Sequence, residues 1–162
     1  MPKRIIHLSI GGNLGEREAN LEETRMFISF NFGDILAVSS IYESEGWKME
    51  NVPSFLNQVV KIESELSDKE LIEEIADLEE FYGRERSSET YLSREMDVDI
   101  LMIDNEIIDT ISLKVPHPKM LERRFVLVPF NEIAEDVIHP VMNKSIKELL
   151  EKCEDKSDIK KI

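Results

Sequence analysis

FLNQVVKIESELSDKELIEEIADLEEFY, residues 55–82, places two elements of different periodicity side by side. Phe55 to Glu65 is rich in β-branched and apolar residues over a length that is typical of a long strand. Ser67 or Asp68 then caps a helix, because apolar residues recur behind it at helical spacing: Leu71, Ile75, Leu78 and Tyr82. A strand that passes directly into an amphipathic helix indicates a fold of mixed α and β structure.

The elements before this stretch are two strands and a helix. Gly11-Gly12-Asn13-Leu14-Gly15 is predicted to be a strand-to-helix turn, since it lacks both the Gly-Lys-Ser/Thr ending of a P-loop and the Gly-x-Gly-x-x-Gly spacing. The predicted bounds are residues 5–10 for the first strand, about 16 to 31–33 for the helix, 35–42 for the second strand and 43–53 for a loop.

The elements after it begin where Gly83 ends the second helix. The predicted bounds are 84–94 for a polar loop, 96–103 for a strand, 104–105 for a tight turn, 106–108 for a return strand, 116–124 for a turn or short helix, and 127–133 and 145–152 for short helices.

The order of these elements, β-α-β-β-α-β, predicts the fold class. It matches the ferredoxin-like arrangement, in which two helices cover one face of an antiparallel sheet. We therefore expect an α+β protein with a ferredoxin-like βαββαβ antiparallel sheet, helices packed on it and extra C-terminal elements. No repeat, linker or change in composition divides the chain, so residues 1–162 are expected to form a single domain. Residues 153–162 are charged and predicted to be a frayed tail.

Composition excludes several classes of protein. With 41% apolar and 33% charged residues, the chain is typical of a soluble globular protein. It has no signal-peptide core and no apolar run near the roughly 20 residues of a membrane span. The single cysteine, Cys153, excludes an intramolecular disulfide and a thiolate metal cage, so we expect a cytoplasmic protein. The net charge of −14 disfavours nucleic-acid binding. We expect a monomer.

Asp97 and Asp99 are the first candidates for chemistry. Positions two apart in a strand share a face, so both carboxylates stand opposite the apolar side chains of Met96, Val98 and Ile100. Adjacent like charges repel, and a cation relieves that repulsion. Magnesium suits the pair, because it accepts one or two carboxylates together with phosphate oxygens. Taken alone, the pair is equally consistent with a solvated strand face on an acidic protein.

Cationic residues near the aspartates favour the metal interpretation. Arg84, Arg86 and Arg94 lie in the polar loop before Asp97, and transfer of a phosphoryl group requires guanidinium groups beside a metal site. The alternative is that these arginines pair with the abundant acidic residues. A second cationic cluster contains His117, held in a stiff turn between two prolines, and its other members are Lys114, Lys119, Arg123 and Arg124.

Aromatic and amide side chains provide a second candidate surface. Phe55 and Asn57 share a strand face, and an aromatic ring beside an amide can hold a flat heterocycle. From spacing alone, however, Phe55 and Phe125 are more often core residues. Trp47 and Tyr91 lie in the two loops and either tuck down or cover a ligand. Glu79, at the edge of a buried helix stripe, needs a partner, which is either a loop arginine or a ligand.

Together these motifs resemble the 6-hydroxymethyl-7,8-dihydropterin pyrophosphokinase family of folate biosynthesis over residues 4 to about 150. The most specific pair is the Arg94–Leu101 segment and the Val115–His117 segment at their observed separation. The matching segments are Ser9–Gly15, Ser39–Ser44, Phe55–Asn57, Gly83–Arg86, Arg94–Leu101 and Val115–His117, followed by Arg123 and Phe125.

The resemblance implies a reaction and a set of residue roles. Pyrophosphate would pass from ATP to the hydroxymethyl group of the dihydropterin, releasing AMP, with two Mg²⁺ ions held by Asp97 and Asp99. On the pterin side the resemblance implies Ser44, Glu45, Trp47, Phe55, Asn57 and Phe125. On the ATP side it implies Glu79, Arg86, Tyr91, Ile100, Lys114, His117 and Arg123, with Arg84 and Arg94 assisting the transfer itself.

Two other functions stay open from the residues. A Mg²⁺-dependent nucleotidyltransferase on a related sheet also uses paired aspartates, but it would release pyrophosphate instead of AMP. A non-catalytic ferredoxin-like binding module for RNA would need a basic sheet face with exposed aromatic residues. The acidic chain and the carboxylates on the strand face speak against that module.

Overall fold

A six-stranded antiparallel sheet lies at the centre of the computed structural model, which describes residues 2–45, 53–83 and 95–162. Its strands run in the order β5-β1-β4-β3-β8, and β2 pairs with β4 alongside β3. The bounds are Arg4–Gly12 for β1, Asp34–Val38 for β2, Tyr42–Ser44 for β3, Phe55–Ser64 for β4, Asp97–Ile103 for β5 and Ile159–Lys161 for β8. A separate two-stranded ribbon pairs β6, Ile108–Asp109, with β7, Lys114–Val115.

Helices cover both faces of the sheet. Helices α1, Arg17–Asn31, and α2, Asp68–Phe81, pack on the face that carries Leu8, Val60 and Ile100. Helices α3, Arg124–Ala134, and α4, Ile146–Glu151, pack on the face that carries Val59 and Leu101. A short 3-10 turn, Met120–Glu122, leads into α3. The central strands therefore contribute apolar side chains to a core on each face of the sheet.

The capping prediction for α2 is confirmed. Ser67 accepts from the backbone N–H of Glu70, and the Glu70 carboxylate accepts from the backbone N–H of Ser67, which together form a capping box. The predicted α1 and the predicted strands at 55–65 and 96–103 also agree with the structure to within a residue or two. Among the described helices, none has the length and apolar character needed to span a bilayer.

Two strand predictions need correction. The predicted strand 35–42 is divided into β2 and β3, because Ser39 interrupts the ladder and its hydroxyl oxygen accepts from the backbone N–H of Val59 at 2.9 Å. The predicted return strand 106–108 does not pair with β5. The outer edge of β5 is already bonded to Glu79 and His117, so the chain pairs β6 with β7 instead.

The two ends of the sheet also differ from prediction. The predicted turn at Gly11 and Gly12 belongs to β1, which continues to pair with β4 through both glycines. The predicted frayed tail is wrong for residues 159–161. They form β8 against β3, where Lys161 lies 3.9 Å from Glu132, so basic residues of the tail meet acidic residues of the fold.

Candidate active site

Three neighbouring strands align the candidate residues in rows across the sheet. Gly11 of β1 pairs with Asn57 of β4 and with Asp97 of β5. In the next row, Ser9 pairs with Val59 and with Asp99. Directly opposed residues share a face, and Val59 belongs to the core beneath α3. The amide and both carboxylates therefore lie on the α3 face, as strand alternation predicts for Asp97 and Asp99.

Two nitrogen donors, His117 and Arg123, lie beside Asp99. His117 Nε2 is 3.7 Å from Asp99 Oδ1, and Arg123 Nη1 is 3.9 Å from Asp99 Oδ2. Both separations exceed hydrogen-bond length. An oxygen of a charged substrate next to Asp99 would therefore lie within reach of both groups.

The backbone fixes His117 in this position. Its N–H donates to the carbonyl of Leu101 in β5 at 2.9 Å, and the preceding Val115–Pro116 peptide is cis. Its Nδ1 accepts from the backbone N–H of Lys119 at 3.1 Å. Because Nδ1 is an acceptor, the neutral imidazole carries its proton on Nε2, which faces Asp99. His117 is thus a donor aimed at the site.

Arg123 connects the carboxylates to an aromatic ring. It is buried at the residue preceding α3, and its guanidinium carbon lies 5.7 Å from the centre of the Phe125 ring. A cation at that distance interacts favourably with the ring. The start of α3 therefore brings an anion-binding group and a stacking surface together.

Glu79 supports β5 from the other side. The carboxylate is 3% exposed, and its Oε2 accepts from the backbone N–H of Val98 at 3.2 Å. Val98 separates Asp97 from Asp99, so this bond ties the carboxylate-bearing segment to α2. This bond to the backbone does not test the predicted contact of Glu79 with ATP, which stays a prediction.

A cavity of about 350 Å³ adjoins Asp99 between α2, β5 and the segment 111–118. Cavities of this size accommodate small ligands. Its polar end contains Asp99, Glu79 and His117, and its apolar wall includes Ile72, Ile100 and Leu113. The structure thus places Ile100, Lys114 and His117 around one cavity. Lys114 also pairs with Asp109 at 2.6 Å on the exposed side.

The predicted pterin-side residues lie on β3, β4 and α3. Ser44 and Asn57 are both buried, and Asn57 Nδ2 donates to Ser44 Oγ at 3.5 Å. Ser44 pairs with Phe55 across the two strands, and Phe55 is half-buried. Phe125 is also half-buried, on the face covered by α3, while Glu45 is exposed. Five predicted site residues lie outside the described residues: Trp47, Arg84, Arg86, Tyr91 and Arg94.

The carboxylate pair fits Mg²⁺. In the parts of the chain that the structure describes, no three or more His, Cys, Asp or Glu side chains are grouped to enclose a metal. A closed zinc-type site would need such a group. Magnesium instead takes one or two carboxylates and completes its shell with water and phosphate oxygens, which Asp97 and Asp99 permit.

Sequence reasoning did not identify Gly11 as part of the site. Its place between Asn57 and Asp97 depends on the register of three strands that are distant in the sequence. The apolar cavity residues Ile72 and Leu113 were also not predicted. The available signal for Gly11 was two consecutive glycines directly after an apolar strand.

Comparison with known proteins identifies similar sequences over most of the chain. The model of the 7,8-dihydro-6-hydroxymethylpterin-pyrophosphokinase family matches residues 7–135. The 2-amino-4-hydroxy-6-hydroxymethyldihydropteridine pyrophosphokinase of Aquifex aeolicus is 37% identical over 143 residues, covering 88% of either chain. The Bacillus subtilis protein of the same name is 37% identical over 134 residues, 82% of this chain and 80% of that protein.

Longer proteins contain a similar region. The folic acid synthesis protein fol1 of Pneumocystis carinii is 34% identical over 97% of this chain, which spans 21% of that protein. The crystal structure of wild-type Plasmodium falciparum HPPK-DHPS with pteroate superimposes with a TM-score of 0.71 at 16% identity, over 93% of this chain and 42% of that one. At that identity the likeness concerns the fold alone.

Proposed function

We propose that this chain, which belongs to the 7,8-dihydro-6-hydroxymethylpterin pyrophosphokinase family, transfers a pyrophosphoryl group from ATP to 6-hydroxymethyl-7,8-dihydropterin in folate biosynthesis. The observation that carries the proposal is the row formed by Asn57, Gly11 and Asp97, with His117 and Arg123 beside the neighbouring Asp99. One sheet face thereby combines an amide for a heterocycle with carboxylates and cations for a metal-bound polyphosphate.

The reaction forms one bond and breaks another. The hydroxymethyl oxygen attacks the β-phosphorus of ATP, and the bond from that phosphorus to the α–β bridging oxygen breaks. AMP leaves with the electron pair, and the hydroxyl proton passes to solvent. The products are the dihydropterin methyl diphosphate and AMP. Little covalent chemistry is required of the protein, so positioning and charge stabilisation carry the catalysis.

The described residues divide this work between them. Asp97 and Asp99 would hold Mg²⁺, and we propose two ions; when bound, Mg²⁺ neutralises phosphate charge and orients the β-phosphorus. His117 donates from Nε2, and Arg123 from its guanidinium, to the phosphate oxygens next to Asp99. Asn57 binds the hydrogen-bonding edge of the pterin, between the rings of Phe55 and Phe125.

The remaining predicted roles are part of the same proposal. Ser44 and Glu45 belong to the pterin side, and Glu79, Ile100 and Lys114 to the ATP side. Outside the described residues, Trp47 is assigned to pterin, Arg86 and Tyr91 to ATP, and Arg84 and Arg94 to the transfer. The strand order β5-β1-β4-β3, with β2 and β3 sharing one edge of β4, supports a ferredoxin-like topology within a single domain.

Product analysis tests the proposal. The purified protein, given 6-hydroxymethyl-7,8-dihydropterin, ATP and Mg²⁺, is expected to form AMP in proportion to the pterin consumed, as read by ion-exchange chromatography. Asp97→Asn is expected to abolish that turnover, whereas the matched control Asp34→Asn, an exposed carboxylate on β2, retains it. Formation of ADP, or turnover that does not depend on the pterin, would reject the function.

A further inference from the structure

Gly11 lies between the two halves of the site. On one side β1 pairs it with Asn57, and on the other with Asp97. Adjacent strands are about 4.8 Å apart, so the Cα atoms of Asn57 and Asp97 are separated by roughly 10 Å with only Gly11 between them. On this face of the sheet, position 11 therefore contributes no side chain between those of Asn57 and Asp97.

The backbone conformation of Gly11 does not require glycine. The described glycines with positive φ are Gly15, Gly33 and Gly83, and Gly11 is not among them. A strand position with ordinary φ accepts any L-residue. Any intolerance of a side chain at position 11 therefore comes from the space around its Cα.

That space is already occupied by Asn57. A Cβ atom added to Gly11 would lie 2.3 Å from Asn57 Oδ1 and 2.6 Å from the backbone oxygen of Leu56. Nonbonded heavy atoms prefer about 3.5 Å or more. The Asn57 carbonyl thus lies directly over β1, while Nδ2 of the same amide donates toward Ser44. Any side chain at position 11 would displace the amide from this place.

We propose that Gly11 is a positioning residue that forms the floor of the acceptor site. Its missing side chain lets the Asn57 amide lie across β1 toward Asp97, so that a ring bound to the amide is held on the metal side of the sheet. The inference rests on the proposed function and extends it, since one glycine would then set how far the bound pterin lies from the metal. Residue 11 thereby determines whether a ring bound at Asn57 can present its substituent to the phosphate.

Gly33 provides a stringent control for a purely structural effect, because its positive φ adds backbone strain to the clash that a Cβ would make. A Cβ at Gly33 would lie 2.2 Å from the backbone oxygen of Glu63, so the clash is as severe and also involves β4. Glu63 and Asn57 are six residues apart on that strand, which corresponds to roughly 20 Å. Gly33→Ala therefore disturbs β4 away from the site.

The experiment compares Gly11→Ala with Gly33→Ala. Affinity for 6-hydroxymethylpterin is measured by calorimetry with a non-hydrolysable ATP analogue and Mg²⁺ at saturation, and affinity for the analogue is measured separately. Gly11→Ala is expected to weaken pterin binding about tenfold or more, because a displaced amide loses its buried hydrogen bonds. Its affinity for the analogue, and both affinities of Gly33→Ala, should stay within about twofold. Equal weakening of pterin binding in the two variants would overturn the inference.

Asn57→Ala and the double variant Gly11→Ala/Asn57→Ala complete a cycle. If residue 11 acts through the amide, the Gly11→Ala penalty on pterin affinity falls to about twofold once the amide is absent. A full tenfold penalty in the Asn57→Ala background contradicts the inference. A wild-type protein that binds no pterin rejects the proposed function instead, so the two failures are distinguishable.

The wild-type protein provides a test that does not depend on the variants folding. In ¹⁵N–¹H spectra, pterin binding is expected to shift the Gly11 amide signal more than those of Gly15 and Gly33. Saturation with pterin that leaves Gly11 unshifted overturns the inference.

Discussion

Acidification from pH 7 to pH 5 is expected to destabilise the fold through His7. This side chain is 4% exposed, its ring centre lies 5.0 Å from that of Phe130, and its Nε2 is buried with no hydrogen-bond partner among the described residues. Burial, reinforced by the charge of Lys61, lowers the pKa of His7 from 6.5 to about 4. At a pH between these two pKa values, the imidazole is mostly neutral in the folded protein and mostly protonated in the unfolded chain.

The sign and the size of the effect follow from these two pKa values. A group whose pKa is lower in the folded state stabilises the fold fully above its unfolded pKa, and this stability is lost as the pH falls through the folded pKa. With values of 6.5 and about 4, the loss of unfolding free energy is about 2 kcal/mol at pH 5 and about 3 kcal/mol at pH 4.

The assay is urea unfolding, followed by circular dichroism at pH 7 and pH 5, of the wild-type protein and of His7→Leu. Carboxylates and His139 titrate in both proteins, so the difference between their pH dependences isolates His7. The wild-type protein should lose about 2 kcal/mol more than the variant. An equal loss in both proteins would refute the assignment, as would a folded-state His7 pKa near 6.5 by NMR.

Three further predictions concern other parts of the structure. Asp97→Asn should lose Mg²⁺-dependent turnover while its midpoint of thermal unfolding stays within a few degrees, and near-normal turnover would show that the metal binds elsewhere. Glu132 accepts from the Tyr42 hydroxyl and from the backbone and side chain of Ser40, so Glu132→Gln should cost about 1–3 kcal/mol in urea unfolding. The pKa of Tyr42, raised to about 12 by burial first and then by Glu132, should fall in that variant by ultraviolet titration; an unchanged value would contradict the contact. Deletion of residues 159–162 exposes the edge of β3, so it should increase exchange of the β3 amides, and unchanged exchange would argue against the pairing of β8.

Local patterns were sufficient for most elements and for one part of the site. The helical spacing behind Ser67 gave α2 with its cap, because the capping box and the apolar stripe are local features. Strand alternation placed Asp97 and Asp99 on one face and Val98 on the other, and the structure agrees. Side-chain period within a strand does not depend on what the strand pairs with.

The features that were missed depend on pairing between distant segments. Ser39 divides a predicted strand because its hydroxyl oxygen accepts from the backbone N–H of Val59. Val59 is too distant in the sequence for a local pattern around Ser39 to reveal this contact. The charged tail forms β8 because β3 offers an edge for pairing and Glu132 of α3 lies near Lys161. Gly11 was predicted to lie in a turn. Its place in the site arises only when strand pairing brings Asn57 and Asp97 to its two sides.

Transfer of label from ATP distinguishes pyrophosphoryl transfer from phosphoryl and nucleotidyl transfer. With ATP labelled by ³²P at the β-phosphorus, 6-hydroxymethyl-7,8-dihydropterin and Mg²⁺, pyrophosphoryl transfer places the label in the pterin product and leaves unlabelled AMP. We predict one labelled phosphorus per pterin formed, and loss of that product with Asp97→Asn. Label that remains in ADP, as in phosphoryl transfer, or that is released as pyrophosphate, as in nucleotidyl transfer, would show that the chain is not a pyrophosphokinase.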